Sequence, residues 1–178
     1  MPDAARFEGF VRAHQHLVFA TAVRLLGRSA DAEDVAQDVF LKAYEHFDTI
    51  GDSPTAGAWL RTVARNACIN HLQRYRSRWR LFSELRRTDD EDEETSVLGA
   101  LAQPPDTSHD EQEQARRLER ALRQLPDAQR VPLVFFHFEE TSYQDIAALL
   151  GVSLGKVKTD IHRGREALKV ILTRDGTR

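Results

Sequence analysis

The chain has 178 residues, enough for one or two small domains, with 30% charged residues and a formal net charge of −3. Its one cysteine, Cys68, excludes a disulfide within the chain, and no apolar run is long enough for a secretion signal or a membrane span. These features predict a soluble protein of the cytoplasm in which Cys68 is a small core residue.

The charge is unevenly distributed, and this predicts two domains joined by a linker. Residues 1–87 carry 13 lysines and arginines against 10 acidic residues, and residues 114–178 carry 12 against 8. Residues 88–113 carry 10 acidic residues and no lysine or arginine. Such a segment buries too little apolar surface to fold alone, so we expect a flexible acidic linker. Fully extended it spans about 85–90 Å, which lets two basic lobes sit far apart on one large partner.

Apolar residues at helical spacing predict that the N-terminal domain is helical throughout. Its first helix ends at Gly27, and Ser29 opens a second helix whose first turn is acidic, as the helix dipole favours. One face of this second helix carries four side chains at three- and four-residue steps: Asp34, Gln37, Asp38 and Leu41. The face is either a solvated acidic surface or a docking surface, and the apolar area of Leu41 favours docking.

A third helix begins at Ser53 and Pro54, a cap followed by a first-turn proline, and extends towards Leu85. Its outer side carries amides and arginines, which suit single-stranded nucleic acid because amides read base edges and guanidinium groups pair with phosphates. These side chains are Arg65, Asn66, Asn70, Gln73, Arg74 and Arg76. A basic helix end also complements the helix dipole, but the four arginines between residues 74 and 80 exceed that need.

Residues 141–172 predict a helix-turn-helix. Ser142 and Ser153 are suited to cap its two helices, and Gly151 between them allows the positive φ of a tight turn. The second helix buries Val157 and Ile161. It leaves basic and hydroxyl side chains outside, as a helix in the DNA major groove does: Ser153, Lys156, Lys158, Thr159, His162 and Arg163. An ordinary helical hairpin with a solvated basic face is the plainer alternative.

Three segments, residues 31–47, 58–78 and 122–168, resemble in sequence and order the bacterial RNA polymerase sigma factors of the extracytoplasmic-function group. The resemblance implies an all-α chain of two small domains. Domain 1–87 would bind polymerase core and recognise and melt the minus-10 promoter element. Domain 114–178 would read the minus-35 element, with the acidic linker between the two.

The resemblance also implies individual roles. The helix face that includes Asp34 and Asp38 matches the surface that docks on the coiled coil of the polymerase β′ clamp, and residues 125–138 match the segment that contacts the β flap. Asn66 and its neighbours match the helix that captures minus-10 bases, and the outer side of the second helix-turn-helix segment matches the minus-35 readers. An anti-sigma factor is a further partner that the resemblance allows.

Asp160 departs from the family pattern, since many relatives carry arginine there. A carboxylate is poorly suited to face a phosphate but is able to accept a hydrogen bond from a cytosine amino group, so the residue predicts an unusual promoter sequence.

Two other classes of protein are alternatives. A free-standing helix-turn-helix repressor would need a dimerisation or effector module, for which the N-terminal domain shows no signature. An enzyme would need a catalytic, metal-binding or cofactor-binding pattern. The seven histidines are scattered, and there is no Cys/His cluster or glycine-rich phosphate loop. We therefore expect no catalytic residue, metal or cofactor.

Overall fold

The computed structural model describes residues 3–82 and 108–176, without the side chains of residues 75–82. All regular structure in these two ranges is α-helical, as predicted. The N-terminal lobe contains α1 (Ala4–Leu26), α2 (Ser29–Glu45), α3 (Phe47–Ile50) and α4 (Ala56–Phe82). The C-terminal lobe contains α5 (His109–Arg123), α6 (Asp127–His137), α7 (Tyr143–Leu150) and α8 (Leu154–Asp175). No helix within these ranges is long and apolar enough to cross a membrane.

The N-terminal lobe is built around α1, which packs against both α2 and α4. Each helix contributes apolar side chains at helical spacing, among them the fully buried Leu25 and Leu60 and the nearly buried Val39. Cys68 is buried in the same core, as predicted, and burial raises the pKa of its thiol to about 12. The thiol is therefore a protonated core group at neutral pH.

Element boundaries differ from the sequence expectations at two places. The third predicted helix begins at Ala56 rather than at Ser53, and its expected extension to Leu85 lies outside the described residues beyond Phe82. Residues 109–113, expected at the end of the linker, are the first turn of α5. The Ser108 hydroxyl accepts from the backbone N–H of Glu111 at 3.4 Å, and the Glu111 carboxylate accepts from the Ser108 N–H at 3.1 Å.

This reciprocal pair is a capping box, a local signal that starts a helix even within an acidic stretch. Acidic side chains in the first turn also complement the positive end of the helix dipole. The predicted linker boundary at residue 113 is therefore wrong, because the short capping motif and not the acidic composition decides where the helix begins.

The C-terminal lobe packs α8 against α6 and α7. Ser142 accepts from the Asp145 N–H at 3.1 Å and Ser153 from the Lys156 N–H at 3.2 Å, so both predicted caps are confirmed. Gly151 has φ 64°, the left-handed conformation predicted for the turn. Gly164 lies where α8 approaches α6 closely, since a Cβ there would sit 3.1 Å from Leu133 Cδ1.

The two lobes are packed against each other. α1 contacts both α6 and α5, and buried side chains of the two lobes form one continuous apolar cluster. The sequence had allowed the lobes to sit far apart on an extended linker. The lobes are held together by interactions between residues that are far apart in the sequence, chiefly those of Arg130 and Arg24, which are described below.

Candidate polymerase and nucleic-acid interfaces

Four of the predicted minus-35 residues lie on the solvent-exposed side of α8. Lys158, Thr159, His162 and Arg163 are all exposed, whereas Val157 and Ile161 on the opposite side are buried against the other helices of the lobe. The Thr159 hydroxyl donates to the Gly155 carbonyl at 2.9 Å, and its oxygen keeps the capacity to accept a hydrogen bond. The helix thus presents a basic and polar ridge on a fixed apolar base.

Two further predicted residues at the start of α8 have partners within the helix. The Ser153 hydroxyl is occupied as the N-cap. Lys156 Nζ donates to Asp160 Oδ2 at 2.6 Å, and the Asp160 side chain is only 12% exposed. Asp160 therefore faces the body of the domain, and our interpretation of it as an acceptor for cytosine was wrong. Its carboxylate instead holds the ammonium group of Lys156 beside the ridge.

The predicted minus-10 residues divide between two faces of α4. Asn66, Asn70, Gln73 and Arg74 are exposed and lie close together at three- and four-residue steps. Arg65 is half-buried and turns towards the C-terminal lobe. The Arg76 side chain lies outside the described residues. The structure thus brings the two asparagines and the glutamine together but sets Arg65 apart from them.

Arg65 lines a polar cavity of about 550 Å³ between the lobes. From the N-terminal lobe the walls include Arg61 and Thr62, and from the C-terminal lobe they include Glu139 and Glu140. Burial raises the pKa of Glu139, and the positive charges of Arg61, Arg65 and Arg24 lower it without cancelling that effect. The cavity therefore places a carboxylate on the side opposite Arg65, which is expected to contact DNA, and its neighbour Arg61. Among the described residues no cluster of three or more histidine, cysteine or acidic side chains is arranged to hold a metal ion.

The predicted polymerase-binding face of α2 is continuous and solvent-exposed. Asp34, Gln37 and Asp38 are exposed, Leu41 is 66% exposed, and Tyr44 of the next turn is 37% exposed. The opposite side of α2 is buried against α1 and α4. An exposed leucine beside two carboxylates is a typical element of a protein-binding surface, where an apolar centre is flanked by charge.

Sequence reasoning missed the residues that join the lobes. Arg130, only 3% exposed, donates to the Leu25 carbonyl at 3.4 Å and lies over Gly27. Arg24 pairs with Glu119 at 2.6 Å. A lone arginine in an apolar stretch, such as Arg130 beside Val131, was the one available signal, because an arginine at a core position requires a buried partner.

The chain matches two family models, Sigma-70 region 2 over residues 10–78 and Sigma-70 region 4 over residues 115–168. It is 34% identical over 158 residues to the ECF RNA polymerase sigma factor EcfG of Rhodopseudomonas palustris, covering 88% of this chain and 80% of the relative. It is 30% identical over 169 residues to the RNA polymerase sigma-E factor of Streptomyces coelicolor, covering 95% and 87%. It is 28% identical over 167 residues to the ECF RNA polymerase sigma factor SigW of Bacillus subtilis, covering 94% and 89%.

Among solved structures, one similar chain is the sigma factor RpoE of Bartonella quintana, in complex with the anti-sigma factor NepR. The TM-score is 0.49 at 23% sequence identity, covering 94% of this chain and 96% of that chain.

Proposed function

The chain belongs to the extracytoplasmic-function family of RNA polymerase sigma factors, which bind polymerase core and direct it to promoters, and we propose that three exposed helix faces carry these steps. α8 reads the minus-35 element, α4 reads the melted minus-10 element, and α2 docks on the β′ clamp. The single observation that carries the proposal is the polar ridge of α8, exposed along its length and fixed from below by buried apolar side chains.

The α8 ridge suits direct readout of a DNA major groove. The guanidinium group of Arg163 is able to donate two parallel hydrogen bonds to a guanine edge, and Thr159 offers both a methyl group and a hydroxyl oxygen. Lys158 and the more distant Lys169 provide positive charge for the phosphates, which position the helix without reading sequence. The ridge therefore combines base-reading groups with phosphate-binding groups.

The α4 face suits unpaired bases. The amides of Asn66 and Asn70 each present two donors and one acceptor, which match the edges of bases that pairing no longer occupies. The arginines that follow along the helix add affinity for the phosphate backbone that does not depend on sequence. We infer that this face holds the displaced strand of the minus-10 element after the duplex opens.

The α2 face suits a protein partner. Asp34 and Asp38 provide negative charge beside the exposed Leu41, so a complementary surface would be basic at its edge and apolar at its centre. We propose that the partner is the polymerase clamp and that the two carboxylates contribute to the specificity and rate of docking. Since polymerase works on the chromosome, we place the protein in the cytoplasm.

A run-off transcription assay tests the proposal. Bacterial core polymerase is given a randomised promoter library, with this protein or with buffer alone, and the transcripts are sequenced. We expect transcripts that depend on the protein and share two upstream sequence blocks. Arg163→Ala should blur the upstream block and Asn66→Ala the downstream block. A protein that binds the library but only represses transcription by core would refute the proposal, and this is the behaviour of a free-standing repressor.

A further inference from the structure

We propose that Asp160 is a positioning residue for promoter recognition: it holds the ammonium group of Lys156 at a fixed place on α8, from which Lys156 reads a guanine of the minus-35 element. The inference rests on the proposed role of α8 and deepens it. It gives a function to a carboxylate that lies among residues expected to face DNA, which is itself a polyanion. Three observations support it: the ion pair, the place of Lys156 on the helix and the contrast with Lys158.

Lys156 is held at both its backbone and its tip. Its backbone N–H donates to the hydroxyl of Ser153, which caps α8, at 3.2 Å. Its Nζ donates to Asp160 Oδ2 at 2.6 Å, one helical turn further along. The side chain of Lys156 is 51% exposed, and that of Asp160 is 12% exposed. The carboxylate is thus the anchored partner, and the ammonium group is the partner that DNA is able to reach.

Asp160 lies in surroundings that favour a single partner. Among the described residues, Lys156 is the only cation within ion-pair distance of its carboxylate. Both side chains border a small cavity of about 20 Å³, whose remaining walls are apolar: Ala128, Pro132, Leu150, Val152 and Val157. Because a largely buried carboxylate without a partner is costly, Asp160 retains the ammonium group more firmly than an exposed acid would.

Lys156 shares one side of α8 with the proposed base readers. Positions three and seven residues apart fall on the same side of a helix, and these positions after Lys156 are Thr159 and Arg163. Lys156 is also the third residue of α8, and the N-terminal residues of a recognition helix are those that contact base edges. Lys158 and Lys169, proposed to bind phosphates, lie together on a different side of the helix.

An ammonium group held in this way is suited to guanine. It has three N–H donors, of which one is directed to Asp160, so two remain. The major-groove edge of guanine offers two acceptors, N7 and O6, and a lysine is able to donate to both. A lysine that is already fixed also loses less side-chain freedom on binding than a mobile one, so more of the contact energy is retained as preference for the base.

The same ion pair makes Lys156 a weaker phosphate ligand than Lys158. Asp160 balances the charge of Lys156, whereas Lys158 is exposed and makes no ion pair among the described contacts. Phosphate contacts release bound counterions, so each one makes DNA affinity depend more steeply on salt. Loss of the Lys158 ammonium group should therefore reduce the salt slope by about 1, whereas loss of the Lys156 ammonium group should change it little.

The test uses the full chain bound to polymerase core, on a promoter recovered by the run-off assay. Every single-base variant of its minus-35 element is made, and holoenzyme binding to each duplex is measured by competition over a range of salt concentrations. Lys156→Met removes the ammonium group and keeps the apolar stem, and Lys158→Met is the matched control. Asp160→Ala releases Lys156, whereas Asp160→Asn keeps an oxygen that accepts from it. Circular dichroism checks that each variant is folded.

We expect the native chain to prefer guanine at one minus-35 position by about tenfold, and Lys156→Met to lose this preference at an unchanged salt slope. Lys158→Met should keep the preference and reduce the slope. Asp160→Ala should lose most of the preference but not the total affinity, because it frees a positive charge, and Asp160→Asn should recover part of the preference. A purely structural role of Asp160 would instead weaken binding to all sequences alike.

Either of two results would overturn the inference. A Lys156→Met chain that keeps every base preference shows that Lys156 reads no base. An Asp160→Ala chain that keeps the native preference for guanine shows that Lys156 needs no positioning by the carboxylate. Arg163→Ala separates these failures from failure of the proposed function. If it flattens another minus-35 position, α8 still reads the promoter, whereas if no position changes, the proposed function fails together with the inference.

Discussion

Gly27 ends α1 and supports the interlobe contact at the same time, so its replacement by alanine should be unusually costly. With φ 77°, Gly27 is left-handed, and placing an L side chain in this region costs about 1–2 kcal/mol. The added Cβ also collides with the guanidinium group of Arg130. Because that group is 3% exposed and tied to three acceptors, moving it breaks its bond to Leu25, worth about 1.5–3 kcal/mol for a charged donor. Since that bond is long, at 3.4 Å, it falls at the low end of this range or below it, and we expect a total loss of about 2–4 kcal/mol.

Gly151 is the matched control for this substitution. It also ends a helix in the left-handed region, at φ 64°, but a Cβ there meets no described atom within 4 Å. Gly151→Ala should therefore lose only the conformational part, about 1–2 kcal/mol. Equilibrium urea unfolding followed by circular dichroism measures both losses, and a thermal melt should drop by roughly 2–4 °C for each kcal/mol. Equal losses for the two variants would show that Arg130 moves aside freely and would refute the reasoning.

Four further outcomes are expected. Converting Asp34 and Asp38 to lysine should weaken binding to polymerase core by about 2–5 kcal/mol in a competition assay, provided that the charges are desolvated in the complex. Arg163→Ala should relax preference at one minus-35 base by about 1–3 kcal/mol, seen as a flattened position in a selected promoter library. Asn66→Ala should lose discrimination at one base of a premelted bubble while leaving core binding unchanged. Burial holds the pKa of Glu139 above its ordinary value, so its ionisation disfavours the fold. The stability linked to Glu139 is fully present below the pKa of this group in the unfolded chain. It is lost as the pH rises through the raised pKa of the folded chain. Urea unfolding across that pH interval should therefore show that the free energy of unfolding falls less steeply with pH in Glu139→Gln than in the native chain.

Local signals in the sequence were sufficient where structure depends on neighbouring residues. The caps at Ser142 and Ser153 and the glycine turn at Gly151 formed as predicted, because each depends on hydrogen bonds and backbone angles within a few residues. The capping box at Ser108 is an equally local signal, because it depends only on Ser108 and Glu111. The acidic composition around it predicts a flexible segment, but the reciprocal hydrogen bonds of the capping box start the helix there.

Periodicity also placed the exposed faces correctly. Leu41 with the carboxylates of α2, and Arg163 with the polar ridge of α8, lie outward because the opposite sides of their helices carry the apolar residues. Asp160 is the exception. Helical spacing places it at the border of the two faces, and only the packed lobe turned its carboxylate inward, with Lys156 as its partner.

The sequence by itself determined which segments are helices, which side of each is apolar and which family the motifs resemble, because these properties repeat at fixed short intervals along the chain. The tertiary structure alone decided that the lobes touch and that Arg130 reaches Leu25, a residue 105 positions away along the chain. It also decided that Glu139 lies opposite the arginines of α4. Such contacts depend on the summed packing of several helices, and no periodicity encodes which distant carbonyl or carboxylate a buried arginine will meet.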